Sequence, residues 1–322
     1  MSGGAACGAA VKADGYGLGA RETVIALSAA GCRDYFVSTW AEAEPLMPLM
    51  EEGMLSVLHG LADEDIGHAA ASKARPVLNT PQQVARWREW GGGRECDVMI
   101  DSGINRLGLS AAEAAGGMLD GLRIHTLMSH LACADEDSEM NRRQLGVFRE
   151  VAAALPAARL SLANSAGICL GRDYAFDLTR PGVAIYGGIP RREAAGHIGQ
   201  VMKVEAQVVQ RRRVEAGDSV GYNAMFRADK QTELAILNLG YADGYLRGFS
   251  GTGRARIGDV FAPVVGRVSM DLTAISVDAA PELREGDWVE LDFDLPSASA
   301  QSGLSQYELL TVLGSRYGRR WV

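Results

Sequence analysis

The sequence predicts an α/β protein, with a (β/α)8 TIM-type barrel over residues 1–195 and a mostly β C-terminal domain over residues 196–322. The first observation is a series of eight short apolar runs, most of them followed by a helical pattern. The second is a set of helix-capping residues between these runs. The third is a change after about Pro190, where strand-like runs alternate with turn residues.

The eight predicted barrel strands are short apolar runs that can be buried on both faces of a sheet. They span residues 9–12, 35–38, 55–58, 76–78, 96–100, 124–129, 160–163 and 176–179. A (β/α)8 barrel of roughly 250 residues or fewer accommodates this number of strands.

Helices are predicted between these strands from their end signals. Residues 21–30 read as a helix that Gly31 ends, and Thr39 with Glu42 forms a capping box at the start of another. Thr80-Pro81 supplies a cap and a first-turn proline. Ser110 and Glu113 form a second capping box.

The second domain is predicted to be mostly β. Its strands are expected at residues 201–209, 234–239, 260–265, 272–277 and 288–293, with turns at 215–218 and 284–287. The stretch 295–305 is rich in Ser and Ala and is interpreted as a loop, and residues 307–313 as a closing helix.

Composition narrows the class of protein. The chain has 322 residues, of which 47% are hydrophobic. Its formal net charge of -8 argues against a surface that binds nucleic acid or an anionic membrane. Its five cysteines are widely spaced, which fits reduced thiols rather than a disulfide framework or a metal site. No apolar run approaches a membrane span and the N-terminus lacks a signal-peptide layout, so we expect a cytoplasmic protein.

Polar and cationic residues follow the predicted strands at the end where (β/α)8 barrels carry their active sites. They are Lys12 and Tyr16, Asp101 and Arg106, Ser129 and His130, Asn164 and Ser165, and the run Arg180-Pro181-Gly182. Each has an ordinary alternative when taken alone: a solvated lysine, a loop-capping aspartate, a core histidine, an ion-paired arginine. Together they describe a pocket with an amine nucleophile, two guanidinium groups and a phosphate-binding turn, which suits pyridoxal phosphate.

A dinucleotide-binding turn is the competing interpretation of the glycines after the first strand. Gly15, Gly17 and Gly19 resemble that fingerprint, which requires an acidic residue at the end of the second strand. Here that strand ends in Ser38-Thr39, so the dinucleotide interpretation is disfavoured.

The order of motifs along nearly the whole chain resembles the alanine racemases, which are fold-type III pyridoxal-phosphate enzymes. The barrel motifs are Val11-Lys12-Ala13-Asp14-Gly15-Tyr16-Gly17, Asp101-Ser-Gly-Ile-Asn-Arg106-Leu-Gly108, Ser129-His130, Ala163-Asn164-Ser165 and Arg180-Pro-Gly-Val-Ala-Ile-Tyr186-Gly187. The second-domain motifs are Val220-Gly221-Tyr222, Gly240-Tyr241-Ala-Asp-Gly244, Gly266-Arg267-Val-Ser-Met270-Asp271 and Tyr307-Glu308.

The resemblance implies a role for each matching residue. Lys12 would bind the cofactor aldehyde as a Schiff base, and Arg180 would face the pyridine nitrogen and leave it unprotonated. His130 would lie near the ring and join a hydrogen-bond chain with Arg180. Arg106 would bind the cofactor's phenolic oxygen and the substrate carboxylate. The cofactor-binding set, including the phosphate ligands, also contains Tyr16, Asn164, Ser165, Gly182, Val183 and Tyr307.

The resemblance also implies a homodimer with shared active sites and two catalytic bases. Lys12 would serve one face of the substrate's α-carbon, and Tyr222 from the partner chain the other. Met270 of the partner chain would help to close the pocket on the substrate. The residues expected along the access corridor are Tyr241, Arg247, Arg267 and Asp135. Of these, Tyr241 is also expected to bind the substrate. Without the resemblance, Tyr222 and Met270 would be interpreted as turn and core residues.

Two departures from the family pattern carry expectations of their own. Many members have a carbamylated lysine two residues before the aspartate of the Asp-Ser-Gly motif, whereas this chain has Met99. We therefore expect either a bound anion such as chloride beside Arg106 or a more mobile arginine and weaker catalysis. Members also carry several tens of residues before the lysine strand, and only eleven precede Lys12 here. This second departure predicts reduced stability or weaker dimerisation.

The leading functional interpretation is an alanine racemase that supplies D-alanine for peptidoglycan. The alternatives are a broad-specificity amino-acid racemase and a cofactor-binding homologue with impaired activity. Side-chain specificity stays open, because one methylene group is worth only about 1–3 kcal/mol. A fold-type III decarboxylase is disfavoured, because the motif around Tyr222 fits racemases.

Overall fold

The computed structural model describes residues 1–51 and 54–322, which form two compact units. The first unit comprises Met1–Ile185 and Ile189–Ile198, and the second comprises Tyr186–Gly188 and Gly199–Val322. The boundary predicted between residues 195 and 196 lies three residues before the end of the first unit.

The first unit is built on parallel strands. In chain order these are β1 Ala6–Cys7, β2 Ala9–Ala10, β3 Tyr35–Val37, β4 Leu55–Val57, β5 Arg75–Leu78, β6 Glu95–Met99, β7 Arg123–Met128, β8 Arg159–Ser161 and β9 Leu178–Thr179. Strands β2 to β8 pair side by side in chain order, with Ala9 opposite Tyr35 and Tyr35 opposite Leu55. Strand β1 pairs in parallel with β9.

Backbone hydrogen bonds close this sheet into a ring. Strands β1 and β2 are one strand interrupted at Gly8, whose N–H donates to the Thr179 carbonyl oxygen at 2.9 Å. On the other side, the N–H of Arg180, just after β9, donates to the Ala163 carbonyl oxygen at 2.8 Å. The eight strand positions thus match the eight predicted runs, and the barrel fold is confirmed.

Helices follow most of the strands. Those of the first unit are α1 Lys12–Tyr16, α2 Ala20–Ala29, α3 Trp40–Ala43, α4 Ile66–Ala71, α5 Pro81–Trp90, α6 Ala111–Ala115, α7 Glu139–Ala154 and α8 Arg172–Ala175. The capping boxes of α3 and α6 and the Thr80 cap of α5 are confirmed. Helix α2 begins and ends one residue earlier than predicted.

The barrel has an apolar interior. Phe36, Val77, Met99, Met128 and Leu178 come from five different strands and pack into one buried cluster. Side chains from strands this far apart can meet only on the inward face of a closed sheet. The barrel therefore contains a packed apolar cluster. A buried polar group also lies within the strands, where Asp97 of β6 accepts from Arg75 of β5 and Ser56 of β4.

The second unit contains a closed antiparallel barrel. Its strands, in chain order, are β10 Val204–Val214, β13 Thr232–Leu237, β14 Arg254–Ile257, β15 Val260–Val265, β16 Thr273–Ser276 and β17 Trp288–Leu291, paired in the order β10-β13-β16-β15-β14-β17. A small hairpin, β11 Ser219–Val220 and β12 Phe226–Arg227, lies outside it, and two helices, α9 Leu295–Ser302 and α10 Gln306–Thr311, follow. The mostly β character of this domain is confirmed.

One local prediction for the second unit is wrong, and one strand was missed. The stretch 295–305 is mostly helix α9, because Asp294 caps it through the Ser297 N–H and a proline occupies its first turn. Strand β14 was not predicted, since its Arg-Ala-Arg-Ile alternation is short and half charged. Among the described residues, no helix is long and apolar enough to cross a membrane.

Candidate active site

The candidate site lies at the carboxyl ends of the strands in the first unit. The residues that follow strand ends there are Lys12 after β2, Arg106 after β6, His130 after β7, Asn164 and Ser165 after β8, and Arg180, Gly182 and Val183 after β9. This is the end of the barrel at which (β/α)8 enzymes place their catalytic groups.

Lys12 begins a turn with an unusual backbone. Ala13, Asp14, Gly15 and Tyr16 all have positive φ angles, between 52° and 61°, so this segment is a left-handed turn rather than a regular helix. Left-handed backbone costs each non-glycine residue roughly 1–2 kcal/mol, so surrounding contacts must hold the segment in place. One such contact is the Ala13 N–H, which donates to Glu42 Oε1 at 2.8 Å.

The amine of Lys12 is partly buried among charged groups. Burial and the positive charge of Arg106 lower the pKa of Lys12 below its ordinary value, while the negative charge of Glu42 opposes this change. A lysine with a lowered pKa has more of its amine in the neutral, nucleophilic form at neutral pH.

Backbone N–H groups of residues 182–184 lie around the Ser165 hydroxyl, and we call this feature the cradle. The Ser165 Oγ accepts from the N–H groups of Gly182 and Ala184, at 2.9 and 3.3 Å. A hydroxyl has two acceptor sites and one donor, so the O–H remains able to donate to a ligand. The Val183 N–H is buried and, within the described part of the chain, donates to no other group.

Tyr16 contacts the same cradle. A Cβ atom placed on Gly182 would lie 2.2 Å from the Tyr16 Oη and 2.8 Å from its Cζ. The tyrosine hydroxyl thus approaches the backbone of Gly182 at a distance that only glycine permits. Asn164 holds the loop that contains Ser165, because its Oδ1 accepts from the Gly167 N–H at 2.8 Å.

The Arg180 guanidinium is buried, and the charge of Asp97 opposes the effect of that burial on its pKa. Its side chain is held by hydrogen bonds to the Ser161 hydroxyl and the Ser129 carbonyl oxygen. Among the described residues no Asp or Glu forms an ion pair with it, so the ion-pair alternative is wrong. Burial lowers the pKa of Arg180 to about 10, which leaves it charged at neutral pH.

His130 is neutral in this environment. Burial, followed by the positive charges of Arg180, Arg106 and Lys12, lowers the pKa of His130 to about 3. The structure thus brings these four side chains within electrostatic reach of one another. The predicted hydrogen-bond chain from His130 to Arg180 is not formed among the described residues, because Arg180 donates to Ser161 and Ser129 instead.

Arg106 lies on a loop that Asp101 shapes. The Asp101 Oδ1 accepts from the N–H groups of Gly103 and Asn105, at 2.8 and 3.1 Å, which confirms its loop-capping alternative. Arg106 is exposed, and its side chain forms no hydrogen bond or ion pair within residues 1–51 and 54–322. Met99 packs in the apolar interior of the barrel and offers Arg106 no charge.

The second unit carries the other four predicted site residues. Tyr222 and Met270 have exposed fractions of 65% and 53%, and Tyr307 lies half-exposed on α10. The loops of Tyr241 and Met270 are joined by two backbone bonds, from Tyr241 N–H to the Ser269 oxygen and from Ala242 N–H to the Met270 oxygen. The Arg247 guanidinium lies 4.9 Å from the centre of the Tyr241 ring.

Comparison with known families accounts for both units. The alanine racemase N-terminal domain matches residues 1–190, and the alanine racemase C-terminal domain matches residues 201–321. This chain belongs to the alanine racemase family. The resemblance inferred from the motifs is thereby confirmed, and the chain is an enzyme of the racemase class.

Individual members of the alanine racemase family match over nearly their whole length. The alanine racemase of Acidiphilium cryptum is 41% identical over 96% of this chain and 90% of its own. The catabolic alanine racemase of Agrobacterium fabrum is 42% identical over 98% of this chain and 85% of its own. The biosynthetic alanine racemase of the same organism is 39% identical over 100% of this chain and 88% of its own.

Solved alanine racemase structures share the fold. The Bartonella henselae protein, described with covalently bound pyridoxal phosphate, superposes with a TM-score of 0.92 at 34% identity, covering 100% of this chain and 94% of that one. The biosynthetic alanine racemase of Pseudomonas aeruginosa superposes with a TM-score of 0.90 at 31% identity, covering 99% of this chain and 92% of that one.

Sequence reasoning missed two residues that hold the site of this alanine racemase family member together. Glu42 was identified only as a helix cap, yet it also binds the turn that carries Lys12. Gln144 on α7 is fully buried; it donates to the His130 carbonyl oxygen at 2.9 Å and to the Ser102 hydroxyl at 3.2 Å. Both act across long sequence separations, which no local pattern reveals.

Proposed function

We propose that this chain interconverts L-alanine and D-alanine with pyridoxal phosphate as its cofactor. One observation carries the proposal: a partly buried amine, a buried guanidinium that forms no ion pair with the described residues, and the cradle around Ser165 lie at the catalytic end of one barrel. They do so in a chain whose family is the alanine racemases.

The residues present fit pyridoxal phosphate. When bound, this cofactor supplies an electron-withdrawing ring that makes the α-proton of an amino acid acidic. Lys12 would hold its aldehyde covalently, and Arg180, which can only donate, would face the ring nitrogen. The Ser165 hydroxyl, the Tyr16 hydroxyl and the Val183 N–H would hold the phosphate, with Asn164 fixing the Ser165 loop. The Gly182 N–H, which here donates to the Ser165 Oγ at 2.9 Å, would join them by exchanging that bond for one to the phosphate.

The remaining predicted residues complete the proposed site. His130, being neutral, would pack near the ring without adding charge. Arg106 would bind the substrate carboxylate and the cofactor's phenolic oxygen, and this role is supported by its exposed side chain, which forms no hydrogen bond or ion pair with the residues that the structure describes. Tyr307 would contribute a further phosphate contact, and Tyr241 would line the substrate path.

Proton transfer would use two groups. Lys12 would take or return a proton on one face of the α-carbon, and Tyr222 of a second copy would do so on the other. The large exposed fractions of Tyr222 and Met270, 65% and 53%, support their availability to a partner chain. The proposed active form is therefore a homodimer with shared sites.

The proposed cellular role is D-alanine supply for peptidoglycan in the cytoplasm. A homologue with impaired activity is the second candidate, because Met99 leaves Arg106 without the anion that many family members provide. Broad specificity among amino acids is the third, to be decided by substrate tests.

The test combines cofactor uptake with proton exchange. The full-length protein, purified with pyridoxal phosphate, should be yellow and should convert L-alanine to D-alanine; Lys12→Ala should lose both properties. Incubation of several amino acids in heavy water, followed by mass spectrometry, reports which α-protons exchange. Yellow protein without turnover would favour the impaired homologue, and exchange of many amino acids would favour broad specificity. Absence of cofactor uptake would overturn the proposal.

A further inference from the structure

Glu42 uses its two carboxylate oxygens on two different segments. Its Oε2 accepts from the N–H groups of Ser38 and Thr39, at 2.7 and 3.4 Å, which is the bonding of a helix capping box. Its Oε1 accepts from the N–H of Ala13, the residue next to Lys12, at 2.8 Å. One side chain therefore ties the start of α3 to the turn that carries Lys12.

Two other capping boxes show that helix capping does not require this second bond. In the boxes of Ser110 with Glu113 and of Ser305 with Glu308, a single oxygen, Oε2, accepts both the backbone and the hydroxyl bond. Within the described residues, neither of those glutamates binds another segment. The contact from Glu42 to Ala13 is therefore additional to the capping function.

The turn that Glu42 binds is the one that most needs support. Ala13 is the first of four consecutive residues with positive φ, and left-handed backbone is held only by contacts around it. One contact is local: the Asp14 Oδ1 accepts from the N–H of Ala20, six residues later in the chain, at 2.9 Å. Glu42 supplies a contact from outside the turn, 29 residues away in sequence, and Tyr16 at the turn's end packs against Gly182.

The charge of Glu42 also acts on Lys12. Two charged groups shift the pKa of the Lys12 amine: Arg106 lowers it and Glu42 raises it. The neutral His130 is close enough to Lys12 for the lysine's charge to lower the pKa of the histidine. Asp14 on the turn itself and Arg21 and Glu22 on the neighbouring α2 do not contribute to the shift. Glu42 is therefore the acidic group that offsets Arg106.

We propose that Glu42 is a positioning residue for Lys12, because it fixes the turn that carries the lysine by accepting from the Ala13 N–H. The inference rests on the proposed role of Lys12 as the residue that binds the cofactor. It assigns to Glu42 no contact with substrate or cofactor, only an effect that passes through Lys12.

The first test measures Lys12 itself, without cofactor. The full-length chain is stripped of pyridoxal phosphate, and competitive acetylation across a pH series is read by mass spectrometry of the Lys12 peptide. Glu42→Gln, which keeps the size and one carbonyl oxygen, should shift the Lys12 midpoint to lower pH. Glu113→Gln, which removes the same charge from an equivalent capping box, should match the wild type. A Glu42→Gln midpoint equal to the wild-type value would overturn the inference that Glu42 acts on Lys12.

The second test measures the turn. Amide hydrogen exchange over residues 13–16 should be faster in Glu42→Gln and Glu42→Asp than in the wild type and in Glu113→Gln. The aspartate variant keeps the charge but shortens the side chain, so it carries the test if the glutamine variant does not fold. Unchanged exchange in a folded Glu42 variant would overturn the positioning role.

These outcomes separate the inference from the proposed function. Both readouts are taken without cofactor or turnover, so they can succeed or fail independently of racemase activity. If the wild-type protein takes up no pyridoxal phosphate, the proposed function fails while the Glu42 result stands. If uptake and turnover are normal but Glu42→Gln changes neither readout, the inference alone fails.

Discussion

Replacing Gly182 with alanine tests whether the cradle around Ser165 holds the cofactor phosphate. The added Cβ would lie 2.2 Å from the Tyr16 Oη, far inside van der Waals contact. Gly182 does not have a left-handed φ, so the substitution acts through this contact alone. The buried Tyr16 ring must move, and its hydroxyl leaves the position from which it can donate to a phosphate.

The expected magnitude follows from the loss of one hydrogen bond to a charged group. Such bonds contribute about 1.5–3 kcal/mol, which corresponds to a roughly 10- to 150-fold weaker Kd for pyridoxal phosphate. The backbone bonds of Ser165 need not break, so the folded structure should survive with a modest loss of stability.

The assay titrates cofactor-free protein with pyridoxal phosphate and follows the visible absorbance that appears on covalent binding. Gly146→Ala is the matched control, because Gly146 lies on α7 and a Cβ there meets nothing within 4 Å. It should stabilise the fold by about 0.5–1 kcal/mol and leave the Kd unchanged. A folded Gly182→Ala protein with wild-type affinity would refute the cradle assignment.

Three further predictions follow from named contacts. Asp97→Asn should cost about 3–5 kcal/mol in urea unfolding, because buried Arg75 loses its charged partner, whereas Asp63→Asn at an exposed ion pair should change little. His130 should show no titration by NMR between pH 5 and 8, since its folded pKa is about 3. Its contribution to stability should be complete above about pH 6.5 and be lost as pH falls toward 3, because the unfolded chain then binds the extra proton. Chloride should raise kcat/KM for L-alanine, and a bromide-soaked crystal should show an anomalous peak beside Arg106; a fully ordered Arg106 with no halide would contradict this.

The barrel could be predicted from sequence because its signals are local. Each strand is a short apolar run, and the capping boxes at Thr39 and Ser110 mark where helices begin. The errors arose where local signals conflict. The Ser and Ala content of residues 295–305 hid the helix that Asp294 caps, and the two arginines of β14 hid its alternation.

The candidate site was predicted in part for the same reason. Reading the strand ends in order found Lys12, His130 and Arg180, because a parallel barrel gathers those ends by construction. The supporting contacts could not be found this way. Gln144 bonds to Ser102 from 42 residues away, and such a pairing exists only once the chain has folded.

Burial lowers the pKa of three nitrogen-bearing side chains of the barrel site, with different consequences. The pKa of His130 falls to about 3, so this residue stays neutral, and that of Arg180 falls to about 10, so this residue stays charged. The pKa of Lys12 falls below its ordinary value through burial and the charge of Arg106, and Glu42 opposes that change. A racemase needs a group that accepts a proton and returns it, while its other donors hold their charge constant. In the proposed mechanism that group is Lys12, and the charges of Arg106 and Glu42 act on its pKa in opposite directions.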